Sequence, residues 1–427
     1  MRRRGVLALV LLLSFPVAAA AQNLRDKVGD LFKFGDCGEV LCLDTTLVGT
    51  FHGGHFKPDA RNSSFAVVSF LADAVALGAS NSPLGSTSSG VTFRIVGGVP
   101  VQNSASLGPV FGERGQTLGK GRFLMGANIT GTRYKTLRGA PIDNLRLTFT
   151  HEDIGNPGLG DPSFENDVIN MRMSLFVDLL TTSFFASYGL LDRVDIGVAV
   201  PVVYVSIKGR STAVIQPFNS NDIEHFFGGT PANPILRAST TSFGSATGIG
   251  DVAGRVKINF SRADALAFAV LGDVRFPTGD DKNLLGSGHL SLRGLAVFSS
   301  QFGTFSPHLN VGYYYRGTDL GNDSFLTTLG FDQALSAWAT IAGDLQSEWE
   351  AGKDKHKLKQ SVQFQVPFVR TVDITDIPNT RDNRTSASLG FKFRTGATTI
   401  VTNALFPVLR GGLAPNVVWT TGVEFGF

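Results

Sequence analysis

A few groups of residues in this 427-residue chain have types and spacings that could do chemistry. Ser306, His308 and Asn310 stand at i, i+2 and i+4, so a strand would put them on one face. A hydroxyl nucleophile beside an imidazole base would suit a lipid hydrolase, one rival class for this chain. Neighbours on one strand face are roughly 7 Å apart, however, too far for direct proton transfer. Such an enzyme also needs nucleophile and base within hydrogen-bond reach on its lipid side. His52-Gly53-Gly54-His55 offers two imidazoles without an obvious third ligand, and reads as a loop pair. Asp280-Asp281 lacks the spaced carboxylates of a calcium site and reads as solvated turn charge. The two cysteines, Cys37 and Cys42, have no second Cys/His pair to complete a tetrahedral metal site. In an oxidising compartment they read as a small-loop disulfide. We expect no catalytic residue, no metal and no cofactor.

The elements that must carry these residues are most legible at the C-terminus. Val417, Trp419, Thr421, Val423, Phe425 and Phe427 alternate with Asn416, Val418, Thr420, Gly422, Glu424 and Gly426. One face is apolar and aromatic, the other small or polar, as in a barrel strand between lipid and water. A terminal Phe on such a strand resembles the insertion signal of Gram-negative outer-membrane barrels. That makes Phe425 and Phe427 candidate contacts for the barrel-assembly machinery. The N-terminus agrees: Arg2 to Arg4, an apolar run from Gly5 to Val17 and small residues Ala18 to Ala21 predict a secretory signal over residues 1–21. No later stretch of about 18 apolar residues offers a membrane helix. Charged residues are 17% of the chain, below the ~25% of soluble domains. Phe (34) and Gly (50) are abundant, as interfacial girdles and crowded strands would require. The formal charge of +3 carries no basic run that would suit nucleic acid.

Residues 22–90 do not alternate. Leu24, Val28, Leu31 and Phe32 follow helical spacing, and Phe65 to Leu77 reads as a second helix stopped by Gly78. This segment is too small for its own core and is expected to plug a barrel or lie in the periplasm. From residue 91 to 427 alternation recurs. Val256, Ile258 and Phe260 oppose Arg255 and Lys257; Leu266, Phe268, Val270 and Val274 oppose Asp273 and Arg275. On an early strand, Ile169, Met171, Met173, Leu175 and Val177 oppose Arg172, Ser174 and Asp178. Short connections alternate with long ones, including a long loop from Pro407 to Pro415. Counted back from Phe427, short turns fall on the periplasmic side and long loops outside. Val362 to Phe368 also alternates but breaks this parity, and is read as part of a long extracellular hairpin. With a strand at Gly90 to Val101, the count gives an all-β, antiparallel transmembrane barrel of about fourteen strands, with twelve the nearest competitor.

Several motifs lie in order over residues 165–427. They are Tyr188-Gly189-Leu190 with Asp192-Arg193, Val200-Pro201, Gly248-Ile249-Gly250-Asp251 with Arg255-Val256-Lys257, Phe276-Pro277-Thr278-Gly279-Asp280, and Gly422-Val423-Glu424-Phe425. Together they resemble the outer-membrane transporters of the meta-pathway of phenol degradation family, related to long-chain fatty-acid transporter barrels. That resemblance implies a Gram-negative outer-membrane barrel importing small hydrophobic or aromatic compounds. No Asn-Pro-Ala plug motif is present, so ligand residues of the fatty-acid transporters do not carry over. Physically, Gly189 and Gly279 would suit turns with positive φ, and Asp251 would pair with Arg255 along the lumen. Passive passage is the favoured reading, with the membrane lipids and a small hydrophobic ligand as partners; a structural or adhesive barrel is the other. The loop Lys208 to Thr247, with Phe218, Phe226 and Phe227, would fold inward in a transporter. Candidate ligand-lining residues are Phe65, Val68, Phe70 and Leu71 of the plug, and Arg255, Lys257, Asp273 and Arg275 of the wall.

Overall fold

A computed structural model describes residues 23–34, 41, 44–45, 71–78, 93–96, 99–102, 106–151, 165–219, 221, 223–261, 266–317 and 321–427. The residues predicted as a signal (1–21), the Cys37–Cys42 pair, His52, His55, Phe65, Val68 and Phe70 lie outside them. Twelve antiparallel strands close into a barrel. They are β1 (Phe123–Leu137), β2 (Val168–Leu191), β3 (Val194–Gln216), β4 (Ala253–Asn259), β5 (Leu266–Arg275) and β6 (Ser291–Ser300). The circuit continues through β7 (Phe305–Tyr315), β8 (Ser324–Ser336), β9 (Ala339–Glu350), β10 (Arg384–Thr395), β11 (Thr398–Arg410) and β12 (Leu413–Gly426). β12 pairs back onto β1, which pairs β2. At that seam the Phe427 amide donates to the Phe123 carbonyl at 2.9 Å, and the Phe123 amide returns a bond at 3.1 Å.

The expected fourteen strands become twelve for two reasons. Gly90 to Val101 is no barrel strand: Phe93–Val96 and Val99–Gln102 pair with each other in a separate hairpin. The barrel therefore begins at Phe123, not at residue 91. Residues 123–150, which a count of fourteen needs as two membrane crossings, instead rise along one edge of β2. β1 pairs its lower half, and Leu145–Thr150 pairs its upper half. Removing two strands preserves the parity. Ser361–Phe364 and Arg370–Asp373 form their own hairpin off the barrel, as that parity requires. The long loop expected from Pro407 to Pro415 is instead a two-residue connection, Gly411-Gly412, because β11 and β12 run on to Arg410 and from Leu413. Gly412 has φ +60°, which its lack of a side chain permits.

Side-chain direction follows the alternation around the wall. On β12, Trp419 is 59% exposed and outward, while Glu424 is buried and inward. An outward belt of Phe, Leu, Val, Tyr and Trp faces what must be lipid, since water would not favour so much exposed apolar surface. β2 and β3, of 24 and 23 residues, outlast this belt. Above Asp178 on β2, paired with Ser206 on β3, the chemistry of the two faces reverses. Met171, Met173, Leu175 and Val177 turn inward and are fully buried, while Arg172 is exposed outward. The apolar face predicted to meet lipid there meets the plug. That part of the wall stands in water and is packed from inside, like a soluble domain.

The plug core lies under this extension. Helix α1 (Leu24–Gly29) is capped by the Asn23 side chain and buries Leu24 and Val28. With Leu31 and Phe32 of the following 3-10 turn, they join Phe149, Met173, Val203, Ile207 and Ile215 in one apolar cluster. A second helical segment, α2 (71–78), adds Leu71, Ala72, Val75 and Ala76 to it. Arg25 of α1 and Asp73 of α2 pair at 2.6 Å. The Arg25 amide also donates to Lys282 in the loop after β5, so these helices sit at the long-loop rim, opposite the rim of Phe427.

Candidate functional site

The turn rim is closed by residues the sequence did not single out. Residues 106–118 form no regular element, yet cross the lumen from β9 to β3. The Leu107 amide donates to Thr340 Oγ1 at 2.9 Å, and Val110 packs against Ala342 and Val401. Glu113 and Asn310 exchange two bonds, each 2.9 Å, through the backbone of one and the amide of the other. Arg114 reaches Asp332, which also accepts from Ser106 Oγ. The Gly115 amide donates to Ser299 Oγ at 3.0 Å, and Asn259 donates to the Gly115 carbonyl at 2.6 Å. The Leu118 amide ends the strap on Asp195 at 2.9 Å. Gly115 must be glycine, because a Cβ would lie 2.8 Å from the Ala267 carbonyl carbon. The Ser306–His308–Asn310 face belongs to this closure. His308 Nε2 lies 2.7 Å from Asp344 Oδ1, and Asn310 holds the strap.

Gly189 serves the same end. Its φ is not positive, as expected from a turn; instead the Gly119 backbone approaches where a side chain would be. The Gly121 amide donates to the Gly189 carbonyl at 2.8 Å, and Gly189 to that of Arg122 at 2.9 Å. Sequence reading passed over this strap because Ser106 to Gly121 has neither a period of two nor one of 3.6. Its one signal was a Glu-Arg pair between glycines.

Three of the quoted motifs meet higher in the wall. Arg237–Ile249 pairs the upper half of β3, and β4 pairs its lower half. Between them Gly250, Asp251 and Val252 stand opposite Val200 and Pro201, a one-residue bulge. Thr278 Oγ1 donates to the Gly250 carbonyl at 2.7 Å and accepts from the Val252 amide at 2.9 Å. Asp251 does not pair with Arg255. Its carboxylate accepts from the Gly279 amide at 3.1 Å and from the Ser287 amide and hydroxyl at 2.8 and 2.9 Å. Gly279 likewise lacks a positive φ; its Cα lies against Gly286, whose Cα would be 2.8 Å from an added Cβ. The motifs thus build a clasp at the bulge. Asp280 caps the next turn through the amides of Lys282 and Asn283.

Between strap and helices lies a cavity of about 320 Å3. Phe111 and Glu113 form its floor, and Gly78 at the end of α2 touches its roof. One side carries Arg255, Arg275 and Arg293 of β4, β5 and β6. On the opposite strands, Leu405, Pro407 and Leu409 of β11 and Val418 of β12 present an apolar surface. Of the candidates, Arg255 and Arg275 line this chamber, and Asp273 and Lys257 are buried behind it. Asp273 receives Arg255 at 2.9 Å, Arg293 at 2.9 Å and Arg275 at 3.6 Å. Glu113 takes Arg255 and Lys257, both at 3.2 Å. Leu71 is in the apolar core of the plug and does not line the chamber. Arg293, Gln346 and Arg384 were missed, although Arg293 follows the same inward alternation. Phe226 and Phe227 fold inward, with Phe227 5.7 Å from Phe34 between ring centroids. Phe218 instead packs on Phe368 of the outer hairpin region.

A family model described as putative MetA-pathway of phenol degradation matches residues 160–393. No curated protein matches the chain. Among solved structures, an outer membrane channel from Pseudomonas putida F1 is similar at 12% identity and a TM-score of 0.39, over 73% of this chain and 97% of that one. A Pseudomonas aeruginosa FadL homologue aligns at 10% identity and 0.31, over 72% and 89%. The Ralstonia pickettii toluene transporter aligns at 10% identity and 0.23, over 72% and 88%.

Proposed function

The chain belongs to the putative MetA-pathway of phenol degradation family, and from that premise we propose that it is an outer-membrane channel for small hydrophobic or aromatic molecules. One observation carries the reading: a lipid-belted barrel encloses a half-apolar chamber between a strap and a helix. A cavity near 300 Å3 suits a ligand of one or two rings. Passage is driven by the gradient, with the long-loop rim outside and the strap toward the periplasm. Phe226 and Phe227, folded inward against the plug, fit a transporter better than an adhesin.

The strap is the element that must yield for a ligand to leave the chamber. Arg114 and Asp332 are both buried, and breaking such a pair from one side costs about 3–5 kcal/mol. Asp332→Asn should therefore loosen the strap and raise conductance in a planar bilayer, with the barrel still migrating as folded protein. Uptake of labelled phenol and toluene into cells with and without the protein tests the function itself. Equal uptake would leave a structural barrel as the better reading.

A further inference from the structure

We propose that the chamber selects a carboxylate: a monoanionic ligand with a body about one aromatic ring in size. This rests on the channel reading above and names the ligand class for it.

The charges of the chamber wall carry the inference. Arg255, Lys257, Arg275 and Arg293 bring four cations to three adjacent strands. Asp273 alone serves three of them, and Glu113 serves Lys257 and Arg255. Asp195, held by the Leu118 amide, is the third carboxylate, set near Lys257. On this wall four cations stand against three carboxylates and leave one positive charge; the Arg384–Glu348 pair across the chamber, 3.4 Å apart, does not change that balance. On a largely buried wall that surplus is costly, and an anion in the chamber would offset it. The guanidinium groups are also not saturated by the protein. Arg293 spends one nitrogen on Asp273 at 2.9 Å while its Nε has no hydrogen-bond partner. Across the chamber, Arg384 Nε and Gln346 Nε2 are in the same state.

Shape narrows the ligand. A guanidinium presents parallel donors that match the two oxygens of a carboxylate, which a halide cannot use. On the far side Leu405, Pro407, Leu409 and Val418 form an apolar patch, next to the Arg384–Glu348 pair, that suits an apolar body. A small inorganic anion would leave that side unfilled. A neutral hydrocarbon would leave the cation surplus in place.

Three matched single-ring probes test the proposal on the full-length protein: benzoate, benzyl alcohol and benzylamine. Binding is measured by titration calorimetry in detergent, and passage by efflux from proteoliposomes. Benzoate should bind at least about tenfold more tightly than either other probe, the worth of one charge-assisted hydrogen bond. Arg293→Gln should shrink that ratio toward one. If benzyl alcohol passes but benzoate shows no preference, the carboxylate site is overturned and the channel reading stands. If none of the probes passes, both fall. An unchanged ratio in Arg293→Gln overturns the assignment of the site to this wall. Should that variant fail to fold, the wild-type ratio alone decides.

Discussion

Asp73 shows how a single buried group ties the plug together. Burial pushes its carboxyl above the usual 3.8, and the Arg25 guanidinium at 2.6 Å only partly opposes this. His356 and His289 are the other titratable groups that act on it. The native state therefore holds the Asp73 proton more tightly than the unfolded one does. The stabilisation is complete below the unfolded value and is lost as pH rises through the higher native one. Exchange protection of the 71–78 amides, corrected for intrinsic rates, should fall with rising pH across that window. Asp73→Asn should flatten the dependence, whereas protection that rises with pH would refute it. At this scale the sequence was informative about direction and poor about partners. The inward positions of Arg255, Lys257, Asp273 and Arg275 follow from a period of two. The pairing of Arg255 and Lys257 with Glu113 does not, because Glu113 comes from an irregular segment more than a hundred residues away.

Elements were legible where their pattern was regular and long. The terminal strand, the turns and the outer hairpin all follow from alternation and parity. Three elements were misread because periodicity reports which face a residue takes, and not what lies against that face. The upper half of β2 alternates like a lipid-facing strand, yet its apolar side meets α1. Gly90 to Val101 has strand composition but pairs with itself. The clasp at the β3–β4 bulge is scattered along the sequence as separate motifs, and only the fold brings them together. Thr278→Val is nearly isosteric and removes both bonds that the hydroxyl makes there. A net loss of about 1 kcal/mol is expected, so the Val252 amide should exchange about five to ten times faster. The seam amides of Phe123 and Phe427 should be unaffected, since they lie at the other rim. Faster exchange at both places would mean that the clasp governs the whole barrel, and not one joint of it.

For the whole molecule, closure comes from β12 pairing along β1, and Phe123 and Phe427 form the last rung of that seam. Phe123 and Phe427 exchange hydrogen bonds through their main chains, so the seam does not require the Phe427 ring. That ring is 67% exposed on the outward side. A side chain absent from the closure but fixed at its last residue is free to be read by another protein. The proposed reader is the barrel-assembly machinery, and the two roles separate experimentally. Deleting Phe427 removes both bonds of the last rung, frays that end of the seam, and should lower the folded yield even in refolding from urea into detergent. Phe427→Ala keeps the main chain and should refold in detergent as the wild type does. In cells the same substitution should reduce the amount of folded barrel in the outer membrane. If Phe427→Ala also refolds poorly without any machinery, the ring is a structural part of the belt. If it inserts normally in cells, Phe427 closes the barrel and signals nothing.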